Sequence, residues 1–227
     1  MKKIIIEKDV LSPSSGQNSF IQDQFDFRKT GEFKSNDNRV AVLKMEESVW
    51  WNRPLDSDKM VRLEEGGLYS YNLPFLGDRD EYKTGYNLLL PKGGIAVISH
   101  IKFDEETAEQ IRGLIYDCAY NTLFNSLVEL GVPIEKLYQT RNDILLNGKK
   151  VSGEEKKIEN NVFTENMIIT MSYLSNIEDF ENLTGKYAKV RGITGITDEY
   201  PEITTEVLMN KLYDNIKKLY EELKIGG

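Results

Sequence analysis

Residues 141–153, RNDILLNGKKVSG, place Arg141, Asn142 and Asp143 ahead of a short apolar arm, an Asn147-Gly148 pair and then Lys149-Lys150. Asn-Gly between two such arms predicts a two-residue hairpin. Side chains alternate faces along a strand, so the two lysines must point opposite ways. If one face packs inward, one lysine is solvated and the other is directed at a cleft. An ammonium group there, beside Arg141 and Asp143, suits a site that holds a carboxylate and a phosphate together while they react. The plain alternative is a surface hairpin with two solvated lysines.

The other residues able to do chemistry are more isolated. His100 is the one histidine, and no Ser/Asp spacing makes it part of a triad, so it reads as a structural or exposed residue. Cys118, the one cysteine, excludes an internal disulfide and falls on an apolar helical stripe, where it reads as core. Glu105-Glu106, Glu154-Glu155 and Glu221-Glu222 are adjacent rather than face-matched and read as solvated. Trp50-Trp51 reads as core or rim packing, and Gly66-Gly67 and Gly93-Gly94 read as turns, because neither stands in a phosphate-loop context.

A formal charge of −8 disfavours nucleic-acid and anionic-membrane partners, and 40% hydrophobic residues in 227 suffice for a buried core. No cluster has zinc-ligand spacing. In MKKIIIEKDV the apolar run is stopped by Glu7 and Asp9, well short of a signal or membrane segment, so a cytoplasmic location is expected.

The elements that must carry these groups follow from periodicity. Residues 11–38 are polar with four phenylalanines and read as a long loop or arm. RVAVLKMEESVWW predicts a strand entering a core, GGLYSYNLP another, and GYNLLLPKGGIAVISHIKF two apolar arms around a Pro91–Gly94 turn. A helix is predicted from a cap at Asp104 to a stop at Gly131, followed by the hairpin and a strand at VFTENMIITMSYL. A last helix follows Pro201 and Thr204, with Val207, Leu208, Leu212, Ile216, Leu219 and Leu223 as its apolar stripe. The sum is an α+β fold with a mixed or antiparallel sheet packed with helices, read as one domain over residues 1–227.

RNDILLNGKKVSG resembles the RND-hydrophobic-GxKxSG signature of the lipoate-protein ligases, within the wider biotin and lipoate ligase group. The resemblance spans about residues 95–222, through SLVELGVPIEKLYQT and KVRGITGITDEYPEITTEVLMNKLYDNI, with specific matching concentrated at 141–153. It implies a class II synthetase-like catalytic domain that uses ATP and Mg²⁺ to activate lipoate or a related carboxylic acid as the acyl-adenylate. The acyl group then passes to a lysine of an acceptor protein domain. Lys150 is the implied catalytic residue, in contact with the acyl carboxylate and the adenylate phosphate. Arg141, Asn142 and Asp143 are implied nucleotide contacts, with Asp143 also a metal ligand.

The family's Gly-rich motif falls by register on YKTGYNLLLPKGG. Thr84 and Gly85 are kept there, while Glu81-Tyr82 stand where the family has two arginines. An alternative register places its glycines on Gly93 and Gly94. Glu154-Glu155 replace the usual Ser-Ala, and TENMII replaces the His-Gly-Thr strand start. The chain is expected to lack the accessory domain that many such ligases carry. Two other readings are a non-catalytic binding module of the same fold and an ATP-independent acyltransferase; the latter needs a cysteine ahead of the hairpin, and GVPIEKLYQT has none.

Overall fold

The computed structural model describes residues 4–11, 38–45, 49–51, 88–90, 93–103, 121–140, 143–159, 161–172 and 194–222. They form strands β1 (Ile4–Leu11), β2 (Asn38–Met45), β3 (Val49–Trp51), β4 (Leu88–Leu90), β5 (Ile95–Lys102), β6 (Leu137–Gln139), β7 (Asp143–Leu146), β8 (Lys149–Glu159) and β9 (Val162–Ile169). The helical segments are α1 (121–129), α2 (Ile196–Glu199) and α3 (Thr205–Glu222). Seven strands make one sheet in the order β1-β2-β5-β9-β8-β7-β6. Strand β1 runs parallel to β2 and the other neighbours are antiparallel, so the sheet is mixed as expected.

The middle of this sheet is buried on both faces, which is why NRVAVLKM, IAVISHIK and VFTENMII carry so few unbroken polar alternations. Pleating sorts the residues. Val40, Val42, Ile95, Val97, Phe163 and Met167 point to one side, where they join Leu123 and Leu127 of α1 and Leu208, Leu212 and Ile216 of α3 in the main core. Ala41, Leu43, Ala96, Ile98 and Ile168 face the other side and are also buried. Each fully buried Leu or Ile contributes about 1.5–3 kcal/mol relative to exposure, so this layer dominates the stability of the scaffold.

Helix ends follow the chemistry of their residues. Helix α1 stops at Gly131, whose φ of 98° any Cβ would oppose, and Val132 N–H donates to Leu127 O at 3.0 Å to close the turn. Helix α3 starts at Thr204, whose Oγ1 accepts from Val207 N–H at 3.3 Å. It lies on β1 and β2, pinned by the Lys44–Glu206 ion pair, the Lys8 to Asn210 hydrogen bond, and the Lys8 ammonium 5.5 Å from the Tyr213 ring centre. Its buried stripe is Leu208, Met209, Leu212, Ile216 and Tyr220; Val207 is turned to solvent, so the expected stripe is rotated by about one position there.

Other expectations are corrected by pairing. RVAVLKMEESVWW is not one strand: β2 ends at Met45, whose N–H and C=O are taken by Gly94 and Gly93, and β3 pairs with β4 in a separate two-stranded sheet. The arms flanking Pro91–Gly94 accordingly belong to different sheets. Residues 4–11, read only for the absence of a signal, form β1; Ile4 and Ile6 pack on the core, and Ile5 faces out. Among the described residues no helix is long and apolar enough to cross a membrane.

Candidate active site

The hairpin forms as its turn residues dictate. Asn147 and Gly148 hold φ of 50° and 79°, the left-handed pair that a two-residue connection between twisted strands needs. What aims the lysine, however, is a β-bulge. Leu146 pairs with Lys149 and Leu145 with Lys150, but Ile144 pairs with Ser152, so Val151 has no opposite number. Lys150 and Gly153 thereby fall on the same face, three residues apart, and Asp143 sits opposite Gly153. Val151 turns into the core.

On that face Lys150 Nζ lies 2.6 Å from Asp143 Oδ1, with the two side chains 39% and 34% exposed. The pair rests over bare backbone. A Cβ on Gly153 would stand 2.9 Å from Nζ and 3.5 Å from Asp143 Oδ1, so any other residue there displaces the ammonium. The supports are fixed by hydrogen bonds on both strands. Thr140 Oγ1 accepts from Asp143 N–H at 2.9 Å, and the exposed carbonyls of the bulge are taken by Thr194 N–H, to Lys150 O at 3.1 Å, and Thr170 N–H, to Val151 O at 2.8 Å. Ser152 Oγ accepts from Ile144 N–H at 3.3 Å where the ladder is broken.

The segment supplying Thr194 is itself clamped. Ile196 and Thr197 N–H groups donate to the carbonyls of Thr170 and Met171 at 3.1 and 2.8 Å. Gly195 crosses Ser172 so closely that a Cβ would lie 2.3 Å from Ser172 Cα.

Of the residues singled out from the sequence, the structure brings together Lys150 and Asp143. Lys149 is exposed at the hairpin end. Arg141, Asn142, Thr84 and Gly85 lie outside the described residues, as do Cys118, Gly66-Gly67 and the start of the helix at Asp104. His100 is wholly buried on β5, on the face opposite the helices; burial, helped by Lys102, lowers its pKa to about 3.

The solvated reading of the Glu154-Glu155 pair fails at Glu154. That side chain points to the helix side and is buried, with one carboxyl oxygen 2.8 Å from Lys156 Nζ. Glu165 stands in the next strand, hydrogen-bonded by Ser99 Oγ at 2.8 Å. Burial, reinforced by the neighbouring Glu165 charge and against the pull of Lys156, pushes the Glu154 pKa up to about 10. Glu154 therefore holds a proton at neutral pH. Its position two residues from Ser152 in an alternating strand was the available signal, hidden by the adjacent Glu155.

A cleft of about 290 Å³ between α1 and α3, lined by Asn121, Asn125, Asn215 and Lys218 among others, also lies on the helix side, away from Lys150.

No family model matches the chain. Among curated proteins, an adenine deaminase of Thermosipho melanesiensis is 29% identical over 152 residues, 63% of this chain and 24% of that protein, so the match spans about a quarter of its length. Solved structures give a wider match. LipL1 of P. falciparum, in complex with lipoate, superposes with a TM-score of 0.62 at 15% identity, over 97% of this chain and 63% of that one. A bi-partite lipoate protein ligase system of Thermoplasma acidophilum, studied with its E2 lipoyl domain, gives 0.60 at 13%, over 96% and 85%. Lipoate-protein ligase A bound with ATP gives 0.57 at 11%, over 97% and 85%. With its mixed seven-stranded sheet and packed helices, the chain has the catalytic-domain fold of the lipoate-protein ligases.

Proposed function

We propose that the protein is an ATP-dependent ligase that activates lipoate or a related carboxylic acid and transfers the acyl group to a lysine of an acceptor protein domain. The observation that carries this reading is the ammonium of Lys150, aimed by the Val151 bulge and held over Gly153 on a half-exposed face of a ligase-type sheet. The ligands named for the structural relatives, lipoate, ATP and a lipoyl domain, support the same substrates here.

In this mechanism a carboxylate oxygen of the acid attacks the α-phosphorus of ATP, forming the mixed anhydride as pyrophosphate leaves. The acceptor's uncharged lysine nitrogen then attacks the acyl carbon, and AMP departs. Lys150 neutralises charge on the carboxylate and the α-phosphoryl oxygens in both steps, where a preorganised cation is worth most. Arg141, Asn142, Thr84 and Gly85 serve the nucleotide. Asp143, the metal ligand that the resemblance implies, would be the protein carboxylate for a Mg²⁺ ion. That fits Mg²⁺, which binds through one or two carboxylates and takes its remaining ligands from substrate phosphates and water. Bound there, the ion would screen the triphosphate charge.

The test is pyrophosphate release from ATP with lipoate or octanoate. Lys150→Ala should lower the rate by about 100-fold or more, the loss of roughly 3 kcal/mol typical of a single transition-state donor. Turnover retained in that variant removes Lys150 from the mechanism. Binding of ATP and acid without turnover in the parent protein would assign a non-catalytic module instead.

A further inference from the structure

The Lys150–Asp143 contact has a consequence for how the site accepts its substrates. Lys150 Nζ is already neutralised by Asp143 Oδ1 at 2.6 Å, yet both side chains remain about a third exposed, so water and solutes reach the pair. Half-exposed ion pairs contribute little, about 0–1 kcal/mol, and are readily exchanged for a better counterion. The backbone of both partners is fixed, by Thr140 at Asp143 and by Thr194 at Lys150, while the lysine stem keeps four rotatable bonds above the bare surface of Gly153. The backbone is anchored and the charged head is free to change partner.

We propose that Asp143 acts as an internal competitor: its carboxylate occupies Lys150 in the resting protein and is displaced when a polyphosphate or carboxylate ligand binds. This inference rests on the reading of Lys150 as the anion-binding lysine. Asp143 is then a positioning residue that keeps the ammonium on the correct face at the expense of affinity. A merely structural Asp143 would lose ligand affinity on substitution, whereas a competitor gains it.

The experiment measures binding of inorganic tripolyphosphate to the full chain by titration calorimetry in EDTA, without ATP or acid. Removal of a competing, half-exposed carboxylate predicts that Asp143→Asn binds about two- to fivefold more tightly than the parent. Asp143→Glu, which keeps a carboxylate on the same face, should show no such gain, and the gain should vanish when Lys150→Met is added to Asp143→Asn. Equal or weaker binding by folded Asp143→Asn overturns the proposal. So does a gain that persists without Lys150, or the absence of measurable binding in every form. Pyrophosphate release is scored separately: a gain in tripolyphosphate affinity without any turnover upholds the exchange and defeats the ligase reading, and the reverse result does the opposite.

Discussion

Glu154→Gln should make the protein more stable at neutral pH. The Glu154 side chain is buried to 1% exposure, and its pKa, ordinarily 4.5, is pushed up to about 10 by burial and by Glu165. At pH 7 the unfolded chain has released that proton and the folded chain has not. The folded state must therefore capture a proton about 2.5 pH units above the value at which the free side chain gives it up, and at 1.36 kcal/mol per unit this opposes folding by about 3 kcal/mol. That figure depends on the folded value lying well above 7, not on how far above.

The sign follows from proton counts. The folded state binds more protons between about 4.5 and 10, so stability falls as pH rises through that window. Glutamine has the shape of the protonated acid, can donate to Glu165 and accept from Lys156, and titrates nowhere. Urea unfolding of parent and variant at pH 5, 6, 7 and 8 should show a gain of up to about 3 kcal/mol at pH 7, growing by about 1.4 kcal/mol per unit from pH 6 to 8 and falling to just under about 1 kcal/mol at pH 5, with an unchanged m-value. A variant less stable than the parent at pH 7, or a gain that does not grow with pH, would refute a protonated Glu154.

Two further outcomes follow from the same geometry. His100, with its pKa lowered to about 3, is neutral when folded, so the unfolded chain binds the extra proton below about 6.5 and stability falls as pH drops from there toward 3; His100→Gln should flatten that acid limb in unfolding titrations. Gly195→Ala should destabilise by more than about 2 kcal/mol in urea unfolding, because its Cβ would meet Ser172 backbone at 2.3 Å; an alanine variant within 0.5 kcal/mol of the parent, on the scale of an ordinary surface change, would mean that this crossing relaxes freely.

Local signals carried the hairpin and the last helix. Asn147-Gly148 specified its turn because few other pairs accept two positive φ values in a row, and the 3.6-residue spacing of Leu208, Leu212 and Ile216 marked the face of α3. The bulge at Val151 was not legible, since it is set by pairing with β7 rather than by any residue preference. It decides where Lys150 points. Glu154 was misread for a related reason: an acidic pair looks solvated until the strand is known to lie between β9 and β7 with Ser152, Glu154 and Lys156 on the helix side. The division of the Pro91–Gly94 arms between two sheets is likewise a matter of long-range partners, invisible to composition.

The hydrogen bond from Thr194 N–H to the Lys150 carbonyl also bears on the order in which the molecule assembles. The hairpin can close on its own within microseconds, but the bulge keeps an unmet carbonyl until the chain around Gly195 arrives from far downstream and docks on Met171 and Ser172. Closing that distant contact is slow by comparison, and during synthesis it must wait for the later residues to emerge. A chain cut before Thr194 would thus own the hairpin without the donor that meets its bulge carbonyl, so the support of the Lys150 backbone is completed from outside the hairpin that presents it.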